Sequence, residues 1–163
     1  MFNKFCALIV LLLGLSSPAF AQTTIVFASD ATWPPMEFVD EDKRVVGYAI
    51  DMVNAIAKEA GFHAEIKNTA WDGIFAGLIA GKYDVIASSV SITDDRKKSM
   101  DFSEPYYTVR QALIVPKTSN IKDLSDLKGQ KVGGQIGTTG YFVIKETKGI
   151  EPKSYDEIGL AME

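Results

Sequence analysis

Between Thr24 and Ala87 the chain alternates strand and helix signals at a spacing that leaves few folds open. Thr24 to Ser29 is a short apolar strand. Ile50, Val53, Ile56, Ala57 and Ala60 then recur at helical spacing, and Gly61 suits a C-terminal stop. His63 to Asn68 reads as a second strand. Trp71 to Ala80 reads as a second amphipathic helix, with Ile74, Phe75, Leu78 and Ile79 on one side and Gly81 closing it. Asp84 to Ala87 is a third strand. Strand, helix, strand, helix, strand at this spacing predicts a parallel sheet with helices on its faces. In such sheets ligands bind beyond the carboxyl ends of the strands. Three polar clusters fall there: Ser29 with Asp30, Asn68 to Trp71, and Ser88 to Ser91.

The first strand and first helix are joined by a Pro-Pro loop, a charged turn at Asp40 to Arg44 and a short strand ending at Tyr48. After Tyr107 the pattern restarts. An apolar strand is predicted over Thr108 to Lys117, a short helix over Ile121 to Leu127 and a strand over Lys131 to Ile136. A helix opens at Gly137-Thr138-Thr139-Gly140 and runs to about Lys148, followed by a strand near Ser154 and a helix from Asp156. This is a second lobe, and roughly 50 residues are too few to bury an adequate core. The chain is therefore expected to be incomplete, marginal or unfolded as it stands, and a weak binder.

The N-terminus carries one lysine, an unbroken apolar run from Ala7 to Leu15, and Ala19-Phe20-Ala21. That is the layout of a secretory signal peptide, residues 1–21, cut after Ala21. The run is shorter than the roughly 20 residues of a membrane span, and no second one follows. Cys6 leaves with the signal, so disulfide, metal and nucleophilic cysteine chemistry are not expected. Without Lys4, one of 17 basic residues, the 21 acidic residues bring the net charge to -5. An acidic chain disfavours nucleic acid as a partner.

Each candidate site residue has two readings. Arg96 offers a planar fork that matches a carboxylate bidentately, or it is a solvated arginine beside Lys97 and Lys98. Ser88, Ser89 and Ser91 place short donors and acceptors at a strand end, or they satisfy local turns. Thr138 and Thr139 sit where a helix N-terminus favours an anion, or one of them is only an N-cap. Trp33 and Trp71 follow strand ends and could clamp a ligand and attract a cation, or pack as core. Asp30 could pair with a cation, or serve a turn. His63, the only histidine, has no ligand pattern around it and reads as structural. Asp94 and Asp95 read as a solvated helix start, and no nucleophile–base pair is visible.

The stretches "SDATWPPMEF", "VVGYAIDMVNAIAKEAG", "WDGIFAGLIAGKYDVIASSVSITDDRKKSMDFSEPYY" and "DLKGQKVGGQIGTTG" together resemble the polar amino-acid periplasmic binding proteins of ATP-driven importers, solute-binding family 3. The resemblance implies an α/β, two-lobed periplasmic-binding-protein-like fold of type II. Lobe 1 would cover residues 22–108, a hinge 109–112 and a partial lobe 2 residues 113–163. It also implies a monomer that closes on an L-amino acid, polar or basic, and delivers it to a membrane permease, with no cofactor. Arg96 would hold the α-carboxylate, with Thr139 and Thr138 reaching it from the other lobe. Ser89 and Ser91, with Ser88 beside them, would bind the α-carboxylate or α-amine. Trp33 and Trp71 would sandwich the side chain, and Asp30 would stand near it. Ala49, Gly134 and Gly140 depart from the family pattern. Two further readings share the resemblance: a dehydratase acting on cyclic amino-acid precursors, and a receptor's sensing domain.

Overall fold

The computed structural model describes residues 22–163; the expected signal peptide lies outside them. Three parallel strands, β1 (Thr24–Ser29), β5 (His63–Asn68) and β6 (Val85–Ile86), form a sheet in the order β5-β1-β6. Helix α1 (Tyr48–Ala60) carries the chain from β1 to β5, and α2 (Ile74–Ile79) carries it back past β1 to β6. Successive side chains of a strand point to opposite faces. Phe27 therefore packs with Val53 of α1, while Ala28 packs with Ile74 of α2, Trp71 and Tyr83. The Tyr83 hydroxyl donates to the Ile74 carbonyl. With both faces covered, β1 is deeply buried from Phe27 to Ser29. Gly61 ends α1 in the left-handed region at φ 78°, as the sequence suggested.

A small antiparallel sheet of β2 (Thr32–Trp33), β3 (Glu37–Val39) and β4 (Val45–Val46) fills the connection from β1 to α1. Only β4 is legible in the sequence. The other two are short and interrupted by Pro34 and Pro35, so no alternation announces them.

The C-terminal unit pairs β7 (Lys131–Gln135) with β8 (Glu151–Tyr155) in parallel, with α4 (Thr139–Glu146) between them in sequence and α5 (Ile158–Met162) after. Its core is Leu127, Val132 and Ile144, flanked by Leu113, Ile121, Leu124 and Ile150. Gly134 is explained by space: a Cβ there would lie 3.0 Å from Ile144 Cδ1. At Gly140 a Cβ would lie 2.6 Å from Gln111 Oε1, so a side chain would displace Gln111 from the start of α4.

Several expectations need correction. Residues 108–117 form no strand. β-branched and apolar composition favours extended backbone, but a strand needs a neighbour to bond, and none of the described strands lies beside this segment. The helix over Ile121 to Leu127 shrinks to a 3-10 turn, Leu124–Leu127. Asp123 starts it late by capping Ser125 and exchanging bonds with Asp126. Trp71 precedes α2 rather than opening it, because Gly73 at φ 85° interrupts the helical path.

Candidate functional site

The carboxyl ends of β1 and β6 lie side by side, and the chain runs from β1 to one side and returns to the other. This is the topological switch point where open α/β sheets place ligands. The Asp30 N–H donates to Ser88 Oγ at 2.8 Å, tying the two strand ends together. Ser88 is buried, and its observed bond is this long-range tie rather than a local turn.

Arg96 stands on α3 (Asp94–Lys97), whose first turn is capped by Thr93 Oγ1 accepting from the Arg96 N–H at 3.2 Å. The neighbouring Asp95 pairs on the surface with Lys98 at 2.6 Å, as expected of a solvated helix start. The Arg96 guanidinium lies over the rings of Phe75 and Trp71, 4.8 and 5.5 Å from their centroids. Those rings meet edge to face at 5.1 Å. Arg96 Nη1 donates to the Ser91 carbonyl at 2.8 Å, and Nη2 to the Gly137 carbonyl at 3.2 Å. None of the ion pairs among the described residues includes it. Burial pulls its pKa below the usual arginine value, yet guanidinium remains a cation in proteins. A half-buried cation facing only neutral carbonyls is a place for an anion.

The C-terminal unit approaches this cation. A cleft of about 470 Å³ is walled by Trp71, Phe75 and Arg96 on one side and Ile136, Gly137 and Phe142 on the other. Thr139 Oγ1 lies 3.4 Å from Ser91 Oγ and accepts from Gln111 Nε2 at 3.1 Å. Thr138 takes the N-cap role: its hydroxyl accepts from the Tyr141 N–H and donates to the Gln135 carbonyl. Ser89 and Ser91 line a second cavity of about 500 Å³ together with Tyr106, and Phe75 and Met100 are walls of both. Trp71 is 7% exposed in the core and carries Arg96 over its ring.

Two residues escaped the sequence reading. Glu37, directly opposite Trp33 in the β2–β3 ladder, shares its face and is fully buried. Its Oε2 accepts from Ser89 Oγ at 2.8 Å, and its Oε1 has no protein partner. Burial pushes its carboxyl up to about 7; the Ser89 bond opposes the rise and the Asp30 charge adds to it. Gln135, at the end of β7, is 1% exposed and bonds both Asp30 and Trp33. A lone carboxylate inside the apolar "PPMEFV" was the available signal for Glu37. Nothing local marks Gln135, whose partners Asp30 and Trp33 are more than 100 residues away.

The raised acid has a consequence for stability. Between pH 4.5 and about 7 the folded protein holds a proton on Glu37 that the unfolded chain has released. Stability therefore falls as pH rises through that window, by up to about 3 kcal/mol, and levels off above it. Glu37→Gln should flatten this slope and be more stable than the parent at about pH 8. Denaturant titrations of both proteins at the two ends of the window test this; parallel slopes would refute it.

Residues 25–158 match the model of the bacterial extracellular solute-binding proteins, family 3. The chain belongs to that family. The probable histidine-binding protein of Neisseria gonorrhoeae is 42% identical over 123 residues, 75% of this chain and 46% of that protein. The L-cystine-binding protein of Escherichia coli K12 is 33% identical over 147 residues, 88% of this chain and 55% of that one. The structure of an ancestral arginine-binding protein bound to arginine superposes with a TM-score of 0.82 at 41% identity, covering 86% of this chain and 64% of that chain. This family 3 chain thus spans about half the length of the two relatives. The two-unit α/β fold is that of the amino-acid-binding proteins it matches.

Proposed function

We propose that the protein is the extracytoplasmic binding component of an ATP-driven amino-acid importer, taking an L-amino acid with a polar or basic side chain. The observation that carries this is Arg96: a half-buried guanidinium without a counter-ion, facing a cleft walled by both units. A ligand carboxylate would supply the missing charge, with Thr139 and Ser91 beside it. Ser89 and Ser91 offer hydroxyl acceptors for the ammonium. Glu37 supports Ser89 from behind: by accepting the Ser89 hydroxyl proton it leaves the Ser89 oxygen's lone pairs for the ammonium. The named substrates of relatives — histidine, cystine and arginine — agree with this chemistry.

In this reading residues 22–108 and 113–163 are lobes hinged at 109–112, residues 1–21 direct secretion, and a membrane permease receives the ligand. The protein works as a monomer and as a binder rather than an enzyme. Among the described residues no helix is long and apolar enough to cross a membrane. No group of three or more His, Cys, Asp or Glu among them could hold a metal ion.

A thermal-shift scan of the protein against the twenty L-amino acids tests the proposal. A ligand at about 100 times its Kd should add roughly 2.7 kcal/mol of stability. Histidine, arginine or lysine should lead. A cooperative melt unmoved by all twenty would reject the reading.

A further inference from the structure

Gln135 crosses from one unit to the other with nearly all of its hydrogen-bonding capacity in use. Its Oε1 accepts from Trp33 Nε1 at 2.8 Å. Its Nε2 donates to Asp30 Oδ2 at 2.8 Å and to the Asp156 carbonyl at 2.8 Å. Asp30 and Trp33 belong to the N-terminal unit; Gln135 and Asp156 belong to the C-terminal one. The Asp30 carboxylate is completed by Thr32 Oγ1, which donates to Oδ1 at 2.9 Å. Gln135 and Asp30 are 1% and 2% exposed. Neither lines the cleft beside Arg96 or the cavity beside Ser89.

We propose that Gln135 is a cross-cleft latch that holds the two units together, and that Asp30 is a positioning residue acting through it. Chemistry selects glutamine for this task. An amide is donor and acceptor in one planar group, so it can satisfy an indole N–H and a carboxylate simultaneously. A lysine or arginine could donate to Asp30 but could not accept from Trp33. A leucine would leave the indole and the carboxylate buried and unpaired, which is costly enough to favour separation of the units into water. The latch has a second consequence. Asp30, 2% exposed and lining neither cavity, is turned toward Gln135 and Thr32 rather than toward a ligand. The proposal rests on the binding reading only in naming the cleft as the ligand's.

The chain has two tryptophans, and their indoles report on different contacts. Trp33 Nε1 is bonded to Gln135, whereas Trp71 Nε1 lies against Gly137, close enough that a Cβ added to that glycine would stand 3.4 Å from it. A ¹⁵N-labelled sample of the protein should show a Trp33 indole N–H protected from exchange. In Gln135→Leu that protection should fall by more than about tenfold, and the Trp71 resonance should move as well because Gly137 withdraws. A merely local role for Gln135 would move Trp33 alone, and that result, or no change in either indole, would overturn the latch. If Gln135→Leu loses its far-ultraviolet circular dichroism, Gln135→Asn is read instead. It keeps the amide but is one methylene too short to span the same partners, and the same two outcomes apply. An unprotected Trp33 indole in the parent would also overturn the proposal. Failure of the amino-acid reading shows separately, as indole resonances of the parent that no L-amino acid moves.

Discussion

Replacing Arg96 with methionine should weaken amino-acid binding by roughly 30- to 5,000-fold, the range set by about 2–5 kcal/mol for truncating one partner of a desolvated charge pair. The ligand carboxylate would enter a cleft whose only nearby cation is gone, among neutral carbonyls and apolar rings. Arg96→Lys should recover only part of the loss. Lysine keeps the charge but not the fork, and it cannot both bond the Ser91 and Gly137 carbonyls and lie flat over Phe75 and Trp71. Isothermal titration with the leading amino acid from the thermal scan measures this. Because Arg96 also packs on two rings, the variant's melting without ligand must be recorded alongside. Affinity within threefold of the parent, in a variant that melts normally, would remove Arg96 from the site.

Ile74→Ala should cost about 2–5 kcal/mol of folding stability, a large share of the roughly 5–15 kcal/mol available to a domain. Ile74 is fully buried between Ala28 of the central strand, Trp71 and Tyr83, and its carbonyl accepts the Tyr83 hydroxyl. Little can collapse into the space, since the central strand is fixed by ladders on both edges. Urea titration followed by circular dichroism reads the loss directly. Trp71 leans on the same cluster and carries Arg96, so binding should weaken in parallel. A loss under about 1 kcal/mol would show that this side of the sheet contributes little.

The contrast between these two residues and Gln135 shows how the chain encodes its site. Helical spacing identifies Ile74, since a period of 3.6 names the inner face of α2. Local sequence places Arg96 on a turn capped by Thr93 but leaves its role open, and it is the resemblance of the surrounding block to the family that singles it out. The serines at the end of β6 are legible locally, because a parallel strand's carboxyl end is defined by where its apolar run stops.

Periodicity, caps and polar strand ends thus determined the parallel sheet, both main helices and the ladder of serines beside Arg96. Each depends on residues within a few positions of one another. Tertiary structure decided the rest. It withheld a strand from residues 108–117, because pairing requires a neighbour and not only propensity. It tied Ser88 to Asp30 and made Thr138 an N-cap, set Ser89 and Ser91 on the wall of the neighbouring cavity, and left Arg96 at the cleft with Thr139 beside Ser91. It also buried Glu37 against Ser89 and Gln135 against Trp33, across 52 and 102 residues of chain. Hydrogen-bond partners and burial over such separations are set by how the units meet in space, which no local pattern records.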